Sequence, residues 1–169
     1  GGDNLAGVIS QAEIVDPASQ TSSLAGSTNN ARTDHTATRL SDGRVLVIGG
    51  RGQNGALTST EFYDPTTASF TAGPTMTIPR SGHTATVLAN GNILIAGGDV
   101  SGRAEIYNHL TQTFSPIAAN MTALRKFHSA ILTSSGQVLI AGGVDPQDTV
   151  LNTAEVYDAS SQSFYIPPT

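Results

Sequence analysis

Three histidines, His35, His83 and His128, recur at one position of a repeated segment, and Arg32, Arg80 and Arg125 stand three residues before them. Imidazoles gathered round an axis could ligate a metal or move protons, because histidine titrates near neutrality and is a common ligand. The repetition argues for another role. A residue that returns in every copy serves every copy, whereas a catalytic site draws different residues from different copies. The histidines are therefore expected to be structural. The arginines are expected to bond backbone carbonyls or to pair with a glutamate such as Glu61, Glu105 or Glu155. His109 stands outside the pattern and is expected at an exposed turn.

The glycine doublets Gly49-Gly50, Gly97-Gly98 and Gly142-Gly143 could cradle phosphate. No G-x-G-x-x-G or G-K-[ST] pattern surrounds them, and no helix follows to present its N-terminus. A bulge or close backbone approach is the expected use. Tyr63, Tyr107 and Tyr157 also recur, as core residues do. The chain has no cysteine, so it has no thiol nucleophile, disulfide or Cys-ligated zinc. No Gly-x-Ser-x-Gly occurs. No catalytic residue, metal or cofactor is assigned.

Composition narrows the function classes. Thirteen acids against eight bases give a net charge of −5, which argues against a nucleic-acid binder with a basic surface. Only 12% of residues are charged, so Ser and Thr must hydrate much of the surface. No apolar run approaches the roughly 20 residues of a membrane helix. The first residues carry no secretory-leader pattern.

The elements that would position these residues follow from the repeats. His35–Gly50, His83–Gly98 and His128–Gly143 align without gaps, with His-to-His steps of 48 and 45 residues. A second motif follows each doublet: Glu61-Phe-Tyr63 with Phe70, Glu105-Ile-Tyr107 with Phe114, and Glu155-Val-Tyr157 with Phe164. It occurs once more as Glu13-Ile-Val15-Asp-Pro17, where Val15 and Ser22 replace the aromatic pair. Such a period points to a propeller of four-stranded antiparallel blades. Strand a follows the histidine. A tight turn at Asp42-Gly43, Asn90-Gly91 or Ser135-Gly136 is expected to have positive φ at both centre positions. Strand b is an apolar run such as Val45–Ile48, which needs cover on both faces. Strand c carries the Glu-x-Tyr alternation, and strand d begins near the Phe. The chain divides into a half blade (1–30, strands c and d) and blades at 31–78, 79–122 and 123–169. The expected fold is all-β, with about three and a half blades in one partial propeller.

These motifs resemble the kelch repeat, of the bacterial, galactose-oxidase-like central-domain type. The resemblance implies a propeller, and the bacterial kelch-repeat proteins it is similar to are often predicted to be secreted or surface-displayed. Phe stands on strand d in place of the usual Trp. Galactose oxidase itself uses copper with a Tyr–Cys cross-link, a second Tyr and two His. That cofactor is not implied here, because Cys is missing and Tyr and His fall at ordinary repeat positions. The odd half blade suggests a fragment of a longer propeller. Two copies closing one ring is the competing arrangement, and open blade edges could associate with one another or with the remaining blades of a longer chain.

The variable segments locate a candidate face. Alternate turns of a meander lie on opposite sides, so the b–c and d–a loops share one. The b–c loops (3–11, 51–60, 99–103 and 144–153) vary most, and function tends to reside in loops on a rigid frame. The candidate binding residues are Arg51, Asn54, Asp99, Arg103, Asp145 and Asp148, with Lys126 from a d–a loop. Asp145 and Asp148 with two carbonyls could hold Ca²⁺, but two carboxylates are weak evidence for such a site. The expected function is non-catalytic binding of a protein or glycan, without nucleic acid or a membrane span. The alternatives are a fragment of a galactose-oxidase-like or other carbohydrate-active enzyme whose catalytic residues lie in other blades, and a structural, self-assembling surface protein. An extracellular or cell-surface setting follows from the resemblance and the composition.

Overall fold

The computed structural model describes residues 1–168. Its strands, in chain order, are β1 (Asp3–Asn4), β2 (Gly7–Val8), β3 (Gln11–Asp16), β4 (Thr21–Ser27), β5 (Thr36–Arg39), β6 (Val45–Ile48), β7 (Arg51–Gly52), β8 (Gly55–Ala56), β9 (Thr60–Asp64) and β10 (Ser69–Ala72). They continue as β11 (Thr84–Val87), β12 (Ile93–Ala96), β13 (Arg103–Asn108), β14 (Thr113–Asn120), β15 (Ser129–Leu132), β16 (Gln137–Ala141), β17 (Ala154–Asp158) and β18 (Ser163–Tyr165). Three antiparallel sheets, β5-β6-β9-β10, β11-β12-β13-β14 and β15-β16-β17-β18, form blades II, III and IV. The pair β3-β4 forms the half blade I. The inner strands β5, β11 and β15 are neighbours, and β4 meets β10 at the outer side as β14 meets β18. The arc does not close into a ring.

The apolar b strand of blade III is covered on both faces by adjoining blades. Leu46 and Ile48 of blade II pack with Ile93, Ile95 and Tyr107 of blade III. Leu94 and Ala96, on the other side of the same strand, pack with Val138, Ile140 and Tyr157 of blade IV. Period-2 geometry sends successive side chains to opposite faces, so one four-residue run serves two cores. The Tyr-to-Phe spacing of seven is a cross-strand pair: Tyr63 faces Phe70, Tyr107 faces Phe114 and Tyr157 faces Phe164. Their ring centroids lie 4.9, 5.0 and 5.0 Å apart. In blade I the same register pairs Val15 with Ser22.

The a–b turns differ from expectation. Leu40 N–H donates to Arg44 C=O and Gly43 N–H to Leu40 C=O, with the same pattern at Leu88/Asn92 and Thr133/Gln137. Only the glycines have positive φ, at +91°, +82° and +82°. This is the three-residue hairpin loop, a turn followed by a glycine bulge, rather than a two-residue loop with two positive-φ centres. Two b–c loops carry hairpins of their own, β1-β2 and β7-β8. The second turns at Gln53-Asn54, between the paired Gly52 and Gly55.

Candidate functional site

The repeated residues build the blade joints. Arg32 donates to Gly49 C=O at 2.7 Å, to Ser59 C=O at 3.0 Å and to Glu61 Oε1 at 2.6 Å. Arg80 donates to Gly97 C=O at 3.1 Å, Asp99 Oδ1 at 2.9 Å and Glu105 Oε1 at 3.3 Å. Arg125 donates to Gly142 C=O at 2.8 Å, Thr153 C=O at 3.1 Å and Glu155 Oε1 at 3.0 Å. Each glutamate also accepts backbone N–H groups at the start of its blade's d–a loop: Asn29 and Asn30 on Glu61, Thr77 and Ile78 on Glu105, Thr122 on Glu155. The loop entering each blade is thereby tied to that blade's strand c. Buried charges survive here because each is paired and its remaining oxygens accept hydrogen bonds.

The histidines join one blade to the next. Thr36 Oγ1 of blade II and His83 Nε2 of blade III share a hydrogen bond of 3.0 Å, and Thr84 Oγ1 and His128 Nε2 share one of 2.9 Å. Each ring rests against the first glycine of the preceding doublet, where an added Cβ on Gly49 or Gly97 would lie 3.0 or 2.6 Å from the ring Cε1. Burial, reinforced by the Arg80 guanidinium, pushes the His83 ring down to about 3. Burial, then Arg125, pushes His128 down to about 4. His35 is lowered by burial and by the nearby N-terminal ammonium. The rings are thus neutral at pH 7, as a joint buried away from water requires.

This has a pH consequence. Above the ordinary histidine value of 6.5 the ring is neutral both folded and unfolded, and the joint keeps its full stability. Below it the unfolded chain takes up a proton that the folded ring refuses until about pH 3 for His83 and 4 for His128. Stability should therefore fall as pH drops from 6.5, by roughly 1 kcal/mol per pH unit for each ring. Urea midpoints at pH 7.5 and 5 measure this. His83→Gln should lower stability at pH 7.5 and flatten the pH slope; an unchanged slope would refute the account.

The candidate loop residues divide. Backbone bridges Thr33–Arg51, Leu57–Arg80 and Lys126–Val144 join d–a to b–c loops on one side of the arc. Arg51 is exposed, 3.8 Å from Asp34, and Asn54 is exposed in the β7-β8 turn. Lys126 pairs with exposed Asp148 at 2.8 Å. Asp145 caps its own turn, accepting from Gln147 N–H and Thr149 N–H. Arg103 is exposed but lies on β13 rather than in a loop, at a register irregularity. Asp99 requires correction. Its side chain is 2% exposed, with one oxygen on Arg80 and the other on Ser101, so it belongs with the structural set. His109 is half-buried rather than exposed, with Nδ1 3.1 Å from Asn92 Oδ1 and its ring over Gly91.

Sequence reasoning missed Phe127. It takes the position before the histidine that Asp34 and Gly82 hold in the other blades, and all three have positive φ. Phe127 has φ of +57° and is 58% exposed. A bulky residue in the left-handed region is unusual, and such strain persists only where surrounding structure imposes it. Here the chain of bonds Gly82 N–H to Asp34 C=O at 2.9 Å and Phe127 N–H to Gly82 C=O at 2.7 Å imposes it. Beside this line lies a depression of about 380 Å³ whose lining includes Ala56, Pro79, Val100, Lys126 and Pro146.

A copper centre does not fit these residues. The three repeat tyrosines are enclosed in blade cores, His83 and His128 are committed to joints, and Cys is missing. Among the described residues no group of three His, Cys, Asp or Glu side chains comes together.

The fold and its joints define a class: an open array of four-stranded β-propeller blades. Residues 32–77 match the family model of the Kelch motif. No curated protein matches the chain. Among solved structures the chain is similar to a fungal alcohol oxidase, described as novel, with catalytic diversity among the AA5 family, and in complex with copper. The TM-score is 0.63 at 20% identity, over 79% of this chain and 30% of that one. At this identity the likeness is one of fold. The chain spans about 30% of that protein's length.

Proposed function

We propose that these blades form a non-catalytic binding module that recognises a protein or glycan through the b–c and d–a loops, in an extracellular or surface setting. The observation that carries this reading is Phe127. An exposed aromatic ring held by a rigid ladder, beside Lys126 and a depression containing exposed Val100, is a preorganised contact surface. Aromatic side chains give large contact area at low entropic cost. The low charge, abundant Ser and Thr, and single lysine are in keeping with the setting. Arrays of glycans and of surface proteins supply the test. Phe127→Ala and Lys126→Ala should each weaken a captured ligand about tenfold or more, the scale of a hot-spot residue. Arg103→Ala, on the strand, should leave it unchanged. Binding indifferent to Phe127 and Lys126 would overturn the assignment of this face.

The likeness to the copper oxidase favours a second reading, in which the blades frame an oxidase. The chemistry would then reside in residues this chain does not contain.

A further inference from the structure

The a–b and c–d turns lie on the side of the arc opposite the loop face. Among them, between blades II and III, is a depression of about 460 Å³ whose lining includes Arg39, Leu40, Ser41, Val87 and His109. That size is within the roughly 300–1,000 Å³ of small-molecule clefts. Two of its residues break the repeat. Arg39 stands where blades III and IV have Val87 and Leu132, and His109 stands where the other copies have Pro17, Pro65 and Ala159. Arg39 is exposed, with no carboxylate within 4.0 Å among the described residues. In a chain of 13 acids and 8 bases that is the exception. Arg32, Arg44, Arg51, Arg80, Arg125 and Lys126 all have an acidic partner, which leaves Arg39 and Arg103. Asp42, three residues along the same turn, is taken by Arg44 at 2.8 Å.

His109 is held in one tautomer. Asn92 Oδ1 accepts the backbone N–H of His109 at 3.3 Å and lies 3.1 Å from its Nδ1. A backbone N–H can only donate, so the Asn92 atom is the amide oxygen, and Nδ1 must carry the proton. In the neutral ring Nε2 is then a lone-pair acceptor, and it has no hydrogen-bond partner among the described residues. Gly91 makes room for the ring, since an added Cβ there would lie 2.9 Å from Cε1. The depression thus offers a free guanidinium, which takes a carboxylate, and a free imidazole nitrogen, which takes a hydroxyl hydrogen. Leu40 and Val87 add an apolar wall. We propose that this depression binds an acidic sugar. The carboxylate of a uronate unit meets Arg39, a ring hydroxyl donates to Nε2 of His109, and the C–H face of the ring covers Leu40 and Val87. An acidic peptide side chain would answer the guanidinium, but a carboxylate has no hydrogen to give Nε2. The site shares no residue with the loop face and does not depend on the function proposed for that face.

The probes are glucuronate and galacturonate, free and as short oligomers. Glucose and galactose are the neutral controls, and a Glu-Glu dipeptide is the acidic one. Titration calorimetry at pH 8, where histidine is ordinarily neutral, should show one uronate site per chain. The neutral sugars should bind at least about tenfold more weakly, as should uronate to Arg39→Val, because each loses a charge-assisted pair. His109→Ala should cost about fivefold, the scale of one neutral hydrogen bond. Both variants install the residue that another blade carries at that position, Val87 or Ala159, so the fold is kept and melting temperatures should match. Arg103→Gln removes the same charge elsewhere and should leave uronate binding unchanged. Failure of the uronates to bind, or binding indifferent to Arg39→Val and His109→Ala, would overturn the proposal. So would a dipeptide that binds as tightly as the uronates, since the site would then read carboxylates alone. An equal loss in Arg103→Gln and Arg39→Val would overturn it too, by showing attraction to net charge rather than a site.

Discussion

Arg80→Ala should lower stability by about 3–5 kcal/mol, the cost of removing one partner from a buried ion pair. Arg80 is fully buried, and so are Glu105 and the side chain of Asp99. Without the guanidinium, two carboxylates and the Gly97 carbonyl lose their partner in a place water does not reach. Part of the penalty belongs to the orphaned charges rather than to the pair. Arg80→Met combined with Glu105→Leu should therefore destabilise by less than the sum of the single changes. Arg51→Ala is the contrast. Its guanidinium is 57% exposed and 3.8 Å from Asp34, and its loss should cost under about 1 kcal/mol. Urea unfolding of Arg80→Ala, Arg51→Ala, Arg80→Met, Glu105→Leu and the Arg80→Met/Glu105→Leu combination at pH 7 measures all of this. A small loss at Arg80 would mean that the joint is wetter than its geometry implies.

The second large effect belongs to a glycine. Gly98→Ala should cost about 2–5 kcal/mol, from a left-handed backbone and from overpacking. Gly98 has φ of +71°, and an added Cβ would sit 2.6 Å from Ser81 O and 2.7 Å from His83 N. Those are backbone atoms of the d–a loop in the same blade, and they cannot swing aside. Gly43 separates the two terms. Its φ is +91° with nothing within 4 Å of the added atom, so Gly43→Ala should cost only the backbone part, about 1–2 kcal/mol. Equal melting temperatures for the two variants would show that close approach is not what Gly98 provides.

The strands were legible because the repeats agree in register. Three aligned copies place strand b, and the seven-residue interval between Tyr63 and Phe70 is what two positions facing each other across a short turn must show. The pairing of Arg32, Arg80 and Arg125 with Glu61, Glu105 and Glu155 was legible as charge types. The third partner, Asp99, was not. It looks like any loop aspartate, and only the fold of the loop turns its carboxylate inward. The shape of the a–b turns was hidden for a similar reason. Asp-Gly reads as a two-residue loop, but the bonds from Leu40 to Arg44 lengthen it by one. Phe127 left one trace, an aromatic where the other copies have Asp34 and Gly82. Its meaning depends on a backbone angle that no residue pattern announces.

The histidine-to-glycine joint has a direction. One blade supplies the doublet, and at His83 and His128 the hydroxyl as well, and the next supplies the ring. The two ends of the arc are therefore unlike: Gly142 and Ser129 stand at one, His35 over Gly1 at the other. Like cannot meet like through these surfaces, so a two-fold axis cannot pass through a joint of this kind. Copies that associate by it must meet head to tail, and head-to-tail contacts either close as a ring or continue as a filament. The arc is polar, and a cap fitted to one end leaves the other untouched.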